Sequence, residues 1–286
     1  MVWPASSRAK TRQEDPLVMG VAFLEDSLLM SDGGTSIAAP IVAGYAATLR
    51  SALIHSGRGT AAIGDAASSS SAALVKVLLI NSAVTLVGPG GAALPMAMQG
   101  FGRVDMCNSL PPRPNPVGTA YPVDHGYEDR GLGEGLAMSG LAWSMQKEIP
   151  EGQAGRKFRV TMVYTDREGP TLQNRLLLEL THEAAGVRET KEVNIFEGVV
   201  RSSNVQQVVW DNIQAGTLTI RVVAAHILAR DEGQRFAVVW RLIEAGAVGA
   251  VVVTTGVPTT IPVVQPEGPA VDQAWARFMK RWCTPE

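Results

Sequence analysis

The second half of the chain alternates apolar and polar residues with a period of two. In the stretch from Phe158 to Tyr164, the apolar side chains Phe158, Val160, Met162 and Tyr164 oppose Arg159 and Thr161, and the same alternation recurs at 217–222 and 235–242. Successive side chains of a strand point to opposite faces, so this pattern predicts strands with one buried and one solvent-facing side. Several such strands, separated by Gly, Asp and Asn, predict an antiparallel β sandwich or jelly roll.

The first part of the chain, residues 1–110, has a different pattern that favours an α/β fold. The stretch SDGGTSIAAPIVAGYAATLR at 31–50 places two glycines before a run of small apolar residues. This order predicts a helix that starts near Thr35 or Ser36, and its small side chains suggest that the helix is central and closely packed. The stretch LVKVLLINSAVTLV, which begins at Leu74, predicts a second, short apolar helix.

Proline content marks the boundary between the two parts. The stretch LPPRPNPVG at 110–118 interrupts both helix and strand, and it is typical of a connector between domains. We therefore expect an α/β portion at 1–110, a Pro-rich linker at 111–118 and a β-sandwich domain at 119–244. A loosely ordered tail is expected at 245–286.

Composition excludes several classes of function. The chain has 46% hydrophobic and 18% charged residues and a formal net charge of -2, which is typical of a soluble globular protein. It has no cluster of Lys and Arg interleaved with aromatic residues, so no nucleic-acid partner is expected. Ala245–Pro266 is uncharged, but Pro258 and Pro262 make it a poor membrane helix, and no membrane span is expected. The basic N-terminal stretch MVWPASSRAKTRQEDP is not recognisable as a signal peptide, so none is expected, and the compartment stays undetermined.

The cysteines indicate no metal site. Cys107 and Cys283 are far apart and lack the spacing of zinc ligands, although a single disulfide between them stays open. We therefore expect no metal and no cofactor.

Ser36 is the first candidate for chemistry, because the start of a helix offers unpaired backbone N–H groups and the positive end of the helix dipole. Two hypotheses account for a hydroxyl there. Either Thr35 or Ser36 caps the helix, a role in which Ser and Thr are common, or Ser36 is a reactive group.

The sequence from Gly34 to Gly44, GTSIAAPIVAG, resembles the nucleophile motif of the subtilisin-like serine proteases, GTSMAxPxVAG, and departs from it only at Ile37. The resemblance implies that Ser36 is the nucleophile, that its backbone N–H is one oxyanion donor, and that Gly34, Thr35 and Pro40 support the motif. Two later segments are also similar to this family. They are Lys76–Ala83, which resembles the helix behind the nucleophile helix, and Gln99–Met106, which resembles a glycine-rich return.

The resemblance extends more weakly into the β-sandwich domain, through VTMVYTDREGPTLQNRLLLEL and SSNVQQVVW. In the family branch with such a domain, the first segment usually ends in Asn-Asp-Leu-Asp-Leu, whose aspartates would support any calcium site in relatives. Here both aspartates are missing and Arg175 adds a positive charge, so no calcium site is expected. The remaining carboxylate, Asp166, is expected to be a turn residue.

The other members of a catalytic triad are not found. A serine hydroxyl needs a histidine to take its proton and a carboxylate to orient that histidine, and in this family both precede the serine. No histidine precedes Ser36, and the four in the chain are all downstream: His55, His125, His182 and His226. Asp124-His125-Gly126 lacks the family's His-Gly-Thr-His continuation, so we expect His125 to be a polar loop residue.

The side-chain oxyanion donor has no counterpart upstream of Ser36 either. Asn81 is the nearest asparagine that could replace it, but by resemblance it belongs to the later helix. The resemblance therefore implies a fragment of a serine endopeptidase that acts on protein or peptide substrates, and because the chain lacks the Asp and His of the triad, we expect it to be inactive alone. The alternative is a non-catalytic interaction protein derived from such a peptidase.

Overall fold

The computed structural model describes residues 34–55, 70–88, 91–109, 125–131, 134–192, 203–228 and 233–243. The helices are α1 (Thr35–His55), α2 (Ala72–Ser82), α3 (Met96–Gln99) and α4 (Met106–Ser109). The strands are β1 (His125–Arg130), β2 (Ala142–Ile149), β3 (Lys157–Val163), β4 (Arg175–Ala184), β5 (Val187–Glu192), β6 (Val205–Trp210), β7 (Gly216–His226) and β8 (Phe236–Ile243). The predicted linker at 111–118 and tail at 245–286 lie outside the described residues.

The strands form two four-stranded sheets, in the orders β1-β8-β3-β6 and β2-β7-β4-β5. Every neighbouring pair is antiparallel. The structure therefore has the antiparallel, sandwich-like arrangement of strands that the sequence predicted. The predicted α/β portion is not shown: in its described residues, 34–55, 70–88 and 91–109, the structure has helices and two isolated bridges, Val84↔Arg103 and Val87↔Ala93.

The inner faces of the two sheets enclose the main core. The period-two alternation identified the inward residues of three strands correctly, because all of these are at most 6% exposed: Phe158, Val160 and Met162 of β3, Leu218, Ile220 and Val222 of β7, and Phe236, Val238, Trp240 and Leu242 of β8. These side chains meet Leu176, Leu178 and Leu180 of β4 from the opposite sheet. Burial of apolar surface on this scale accounts for the stability of a sandwich.

The outer face of the β1-β8-β3-β6 sheet is not exposed to solvent as the alternation predicted. Thr161, Ala237 and Val239 point to this face and are buried, because α2 packs across β3 and β8. A second hydrophobic core forms there between the helices and the sheet, with these members: Leu49, Leu53, Ala73, Leu74, Val77, Leu78, Leu79, Met106, Tyr127, Val163, Val205, Ala237 and Val239. A strand's own alternation cannot reveal a helix that covers its second face.

Polar contacts attach α2 to the sheet at both of its ends. At the N-terminal end, the Asp129 carboxylate of β1 accepts hydrogen bonds from the Ser71 hydroxyl at 2.6 Å and from the Ser71 backbone N–H at 2.9 Å. At the C-terminal end, the buried Asn81 amide donates to the Thr161 hydroxyl at 2.9 Å and to the Val239 carbonyl at 3.2 Å. The residues that precede the Pro-rich segment are therefore in direct contact with the strands that follow it.

Gly126 allows the largest core side chain to reach the edge of the sheet. It lies opposite Trp240 in the β1–β8 ladder, and a Cβ atom at this position would overlap the Trp240 ring. Trp240 is fully buried. A glycine inside a strand often marks such a close approach.

We expect Gly126→Ala to lower the free energy of unfolding by roughly 1–3 kcal/mol, because the methyl group forces Trp240 away from its packed position. Urea unfolding followed by tryptophan fluorescence measures this change. Gly131→Ala is the matched control, because a Cβ atom at Gly131 meets nothing within 4 Å. Equal stability of the two variants would contradict the proposed packing constraint.

A fragment of residues 119–244 is expected to unfold cooperatively but at a lower urea concentration than the full chain. It keeps the inner core, but it loses the helices that cover Tyr127, Val163, Val205 and Val239, and full burial of one such side chain contributes about 1.5–3 kcal/mol. Urea unfolding of both proteins and binding of an apolar dye measure the difference. Equal midpoints and equal dye binding would show that the helices add nothing to the sandwich.

Candidate functional site

Ser36 lies in the exposed first turn of α1. The carbonyl of Gly34 accepts hydrogen bonds from the N–H groups of Ile37 at 3.1 Å and Ala38 at 3.0 Å, so Gly34 holds the N-cap position and Thr35 and Ser36 are the first two helical residues. Gly34 has a φ of +121°, a conformation that glycine adopts far more readily than other residues. The hypothesis that Thr35 or Ser36 is the N-cap is therefore wrong.

Pro40 lies inside α1, and its position relates directly to Ser36. In an α-helix the N–H of each residue bonds to the carbonyl four residues earlier, and proline has no N–H. The Ser36 carbonyl therefore lacks its regular intrahelical partner. The motif residues Gly34, Thr35, Ser36 and Pro40 are thus together at one end of α1, and all four are exposed.

The described residues provide no histidine as a hydrogen-bond partner for Ser36. His55 ends the same helix, about 28 Å along its axis from Ser36 at 1.5 Å per residue. His182 is buried in the sandwich, where its ring packs edge-on against Trp210 with a centroid distance of 5.4 Å. His226 ends β7 on the exposed surface.

His125 is not the loop residue that the sequence suggested, because it begins β1 opposite Arg241. Burial and the neighbouring Arg241 guanidinium lower the pKa of His125 to about 4. The imidazole is therefore neutral at pH 7. His125 is half-buried on the face of the sheet that the helices cover, so its role there is structural.

Asn81 cannot act as the side-chain oxyanion donor, because its amide is already used inside the protein. The same end of α2 is fixed by Arg159 of β3, whose Nη1 donates to the carbonyls of Asn81 at 2.9 Å and Ala83 at 3.2 Å. A cation at the negative end of a helix dipole is favourable. Arg241 of β8 donates a hydrogen bond to the side-chain oxygen of Asn108 in α4. Arg159 and Arg241 therefore both hold helices against the sheet.

Asp166 is a turn residue, as expected. Its carboxylate accepts hydrogen bonds from the backbone N–H groups of Gln173 at 2.5 Å and Asn174 at 3.0 Å, which close the loop between β3 and β4. Arg175, which stands where the family places an aspartate, is exposed at the start of β4. The part of the chain that the structure describes holds no group of three or more His, Cys, Asp or Glu residues arranged to bind a metal ion.

An open apolar groove of about 610 Å³ lies between α1 and α2, and we call it the α1/α2 groove. Its lining is almost entirely apolar, apart from two cationic residues: Val42, Ala46, Ala47, Arg50, Ala72, Val75, Lys76, Leu79, Ile80, Ala83, Phe101, Gly102 and Val104. The sequence does not predict this groove, because the small residues of α1 suggest a closely packed, central helix. Among the side chains of 35–54, only Leu49 and Leu53 are fully buried.

The apolar composition of α1 has one further consequence. Thr35–Ile54 is long and apolar enough to cross a membrane, judged by length and composition alone, but a core helix of a water-soluble protein meets the same criteria. The stretch 245–266, which the sequence analysis considered for this role, lies outside the described residues.

The sequence matches no protein-family model and no curated protein. Among solved structures, the chain is similar to a protein from Sulfurospirillum deleyianum, with 4% identity, a TM-score of 0.28, and coverage of 43% of this chain and 99% of that one. It is similar to tripeptidyl peptidase 2 with 10% identity and a TM-score of 0.29, over 41% of this chain and only 10% of that one. It is also similar to a galactotriose-bound structure titled TmCBM61, with 14% identity and a TM-score of 0.23, over 38% of this chain and 67% of that one. Similarities this low identify neither a family nor a function.

The pKa of His125 predicts how stability depends on pH. An unfolded histidine titrates near pH 6.5, so between about pH 6.5 and pH 4 the unfolded chain binds a proton that the folded chain does not. The free energy of unfolding should therefore decrease as the pH falls through this range, and His125→Gln should make the decrease smaller. Urea unfolding at several pH values measures both, with the exposed His226→Gln as control. Identical pH profiles for the wild type and His125→Gln would contradict this assignment.

Proposed function

We propose that this chain carries the nucleophile of a subtilisin-like serine endopeptidase, with Ser36 as that nucleophile and the β sandwich as an accessory domain. The observation that supports the proposal is the combination of motif and geometry. GTSIAAPIVAG begins at the N-terminal end of α1, where Ser36 is exposed in the first turn. Because Gly34 holds the N-cap position, the Ser36 hydroxyl does not belong to the N-cap residue.

The chemistry follows from this placement. The Ser36 hydroxyl would attack the carbonyl carbon of a peptide bond, and the oxyanion that forms would accept hydrogen bonds from backbone N–H groups at the helix start. The positive end of the α1 dipole would stabilise the same charge. The amine would then leave, and water would hydrolyse the acyl-enzyme.

Proton transfer is the step that the described residues do not support. None of His55, His182 or His226 lies in the first turn of α1. His125 lies in β1, opposite Arg241 of the neighbouring strand β8. We therefore expect the histidine, the aspartate and the second oxyanion donor to come from a polypeptide that precedes or joins this one. The exposed N-terminal half of α1 is the surface on which that portion would pack.

The alternative is a non-catalytic interaction protein that keeps the peptidase-derived helices. The extensive contacts between α2 and the sheet favour it, because the helices have a structural role that does not require catalysis. The coding sequence upstream of Met1 distinguishes the two. In-frame Asp-(Ser/Thr)-Gly and His-Gly-Thr-His segments would support the peptidase, and their absence would support the interaction protein.

We expect the 286-residue chain to hydrolyse peptides no faster than its Ser36→Ala variant, because removal of triad members from a subtilisin leaves only a small residual rate. A fluorogenic peptide library and labelling by a fluorophosphonate measure this. Ser144→Ala is the matched control, because Ser144 is exposed on β2. Cleavage that Ser36→Ala abolishes and Ser144→Ala retains would show that the chain contains its own base. If upstream segments are found, their addition should restore cleavage and fluorophosphonate labelling of Ser36.

A further inference from the structure

The α1/α2 groove leaves apolar surface in contact with solvent. Two of its lining residues on α1 are exposed, Val42 with an exposed fraction of 39% and Ala47. The floor, by contrast, belongs to the second core, through the buried Leu79 of α2. Contiguous exposed apolar surface of this kind usually marks a binding site, because its burial is favourable.

We propose that residues Leu17–Leu24 of the same chain bind in the α1/α2 groove. This run, LVMGVAFL, has eight residues, all of them apolar or glycine. It offers the groove the apolar side chains that such a lining favours. The proposal does not depend on the proposed function, because the groove contains no catalytic residue.

The position of this run in the chain makes the contact sterically accessible. Nine residues, 25–33, connect Leu24 to Gly34. An extended chain spans at most about 3.3–3.6 Å per residue, so this connection can reach about 30 Å. Val42, the first groove residue of α1, lies only about 12 Å along the helix from Gly34 at 1.5 Å per residue. The length of the connection therefore allows the run to reach the groove.

Charge distinguishes this occupant from the other apolar run of the chain. Leu17–Leu24 is bracketed by two acidic pairs, Glu14-Asp15 and Glu25-Asp26, and the exposed cationic residue Lys76 lines the groove. Opposite charges around an apolar contact favour association and fix its register. The run Ala245–Val253 has a single acidic neighbour, Glu244, so it provides less charge complementarity.

Hydrogen exchange of the full chain tests the proposal. We expect the amides of residues 18–24 to exchange at least tenfold more slowly than in an unstructured peptide of the same sequence. Ala47→Glu places a carboxylate in the groove, so it should return these amides to the unprotected rate. Thr48→Glu is the matched control: Thr48 is the next residue of α1, is exposed and does not line the groove, so its substitution should leave the protection unchanged.

Further measurements verify that the variant is folded and identify which segment or chain occupies the α1/α2 groove. Protection of β3 in Ala47→Glu verifies that the variant is folded. Unprotected amides at 18–24 in the wild type, or equal protection in all three proteins, would overturn the proposal. A dimer that Ala47→Glu dissociates would assign the groove to a second copy of the chain instead, and groove-dependent protection of Ala245–Val253 would assign it to that run.

Discussion

The packing of α2 across β3 and β8 determines the arrangement of the other helices. Asn81 is central to it, because its amide enters the outer face of the sheet and satisfies both the Thr161 hydroxyl and the Val239 carbonyl. A buried polar group without such a partner costs about 1–3 kcal/mol, so these bonds fix the position of α2 on the sheet. α1 in turn rests on this layer through Leu49 and Leu53. The location of Ser36 thus depends on contacts formed at the opposite end of its helix.

This mode of attachment divides α1 into two halves with different environments. The C-terminal half contributes its leucines to the second core, whereas the N-terminal half, which holds the motif, is exposed. A helix as poor in polar side chains as this one has little affinity for water along that half. Its sequence is therefore better suited to an enclosed position than the described residues provide, which is the physical reason to look for a covering polypeptide.

The sequence predicted the inner core of the sandwich well, because alternation is a local property of each strand. Phe158, Val160 and Met162 are all fully buried, as their spacing indicated. It did not predict the covered outer face, since that depends on a helix some eighty positions earlier in the chain. One signal was present: β8 reads FAVVWRLI, and apolar residues on both faces of a strand indicate that both are buried. At the candidate site, the motif placed Ser36 at a helix start correctly, but its exposure depends on partners that no local pattern contains.

The geometry of α1 also shows that the hydroxyl at position 36 does not belong to the N-cap residue of the helix. A serine at a helix start is most often explained by capping, in which its oxygen accepts a backbone N–H two or three residues later. Here Gly34 holds the N-cap position, and its left-handed conformation is one that a serine would rarely adopt. Pro40 additionally removes the donor that would bond to the Ser36 carbonyl. Glycine is a common N-cap residue, although it has no side-chain oxygen, whereas a proline in the helix interior costs about 3 kcal/mol relative to alanine. The first turn of α1 therefore has neither a side-chain acceptor from its N-cap residue nor a regular donor for the Ser36 carbonyl, so it is Pro40, rather than Gly34, that the stability of α1 leaves unexplained.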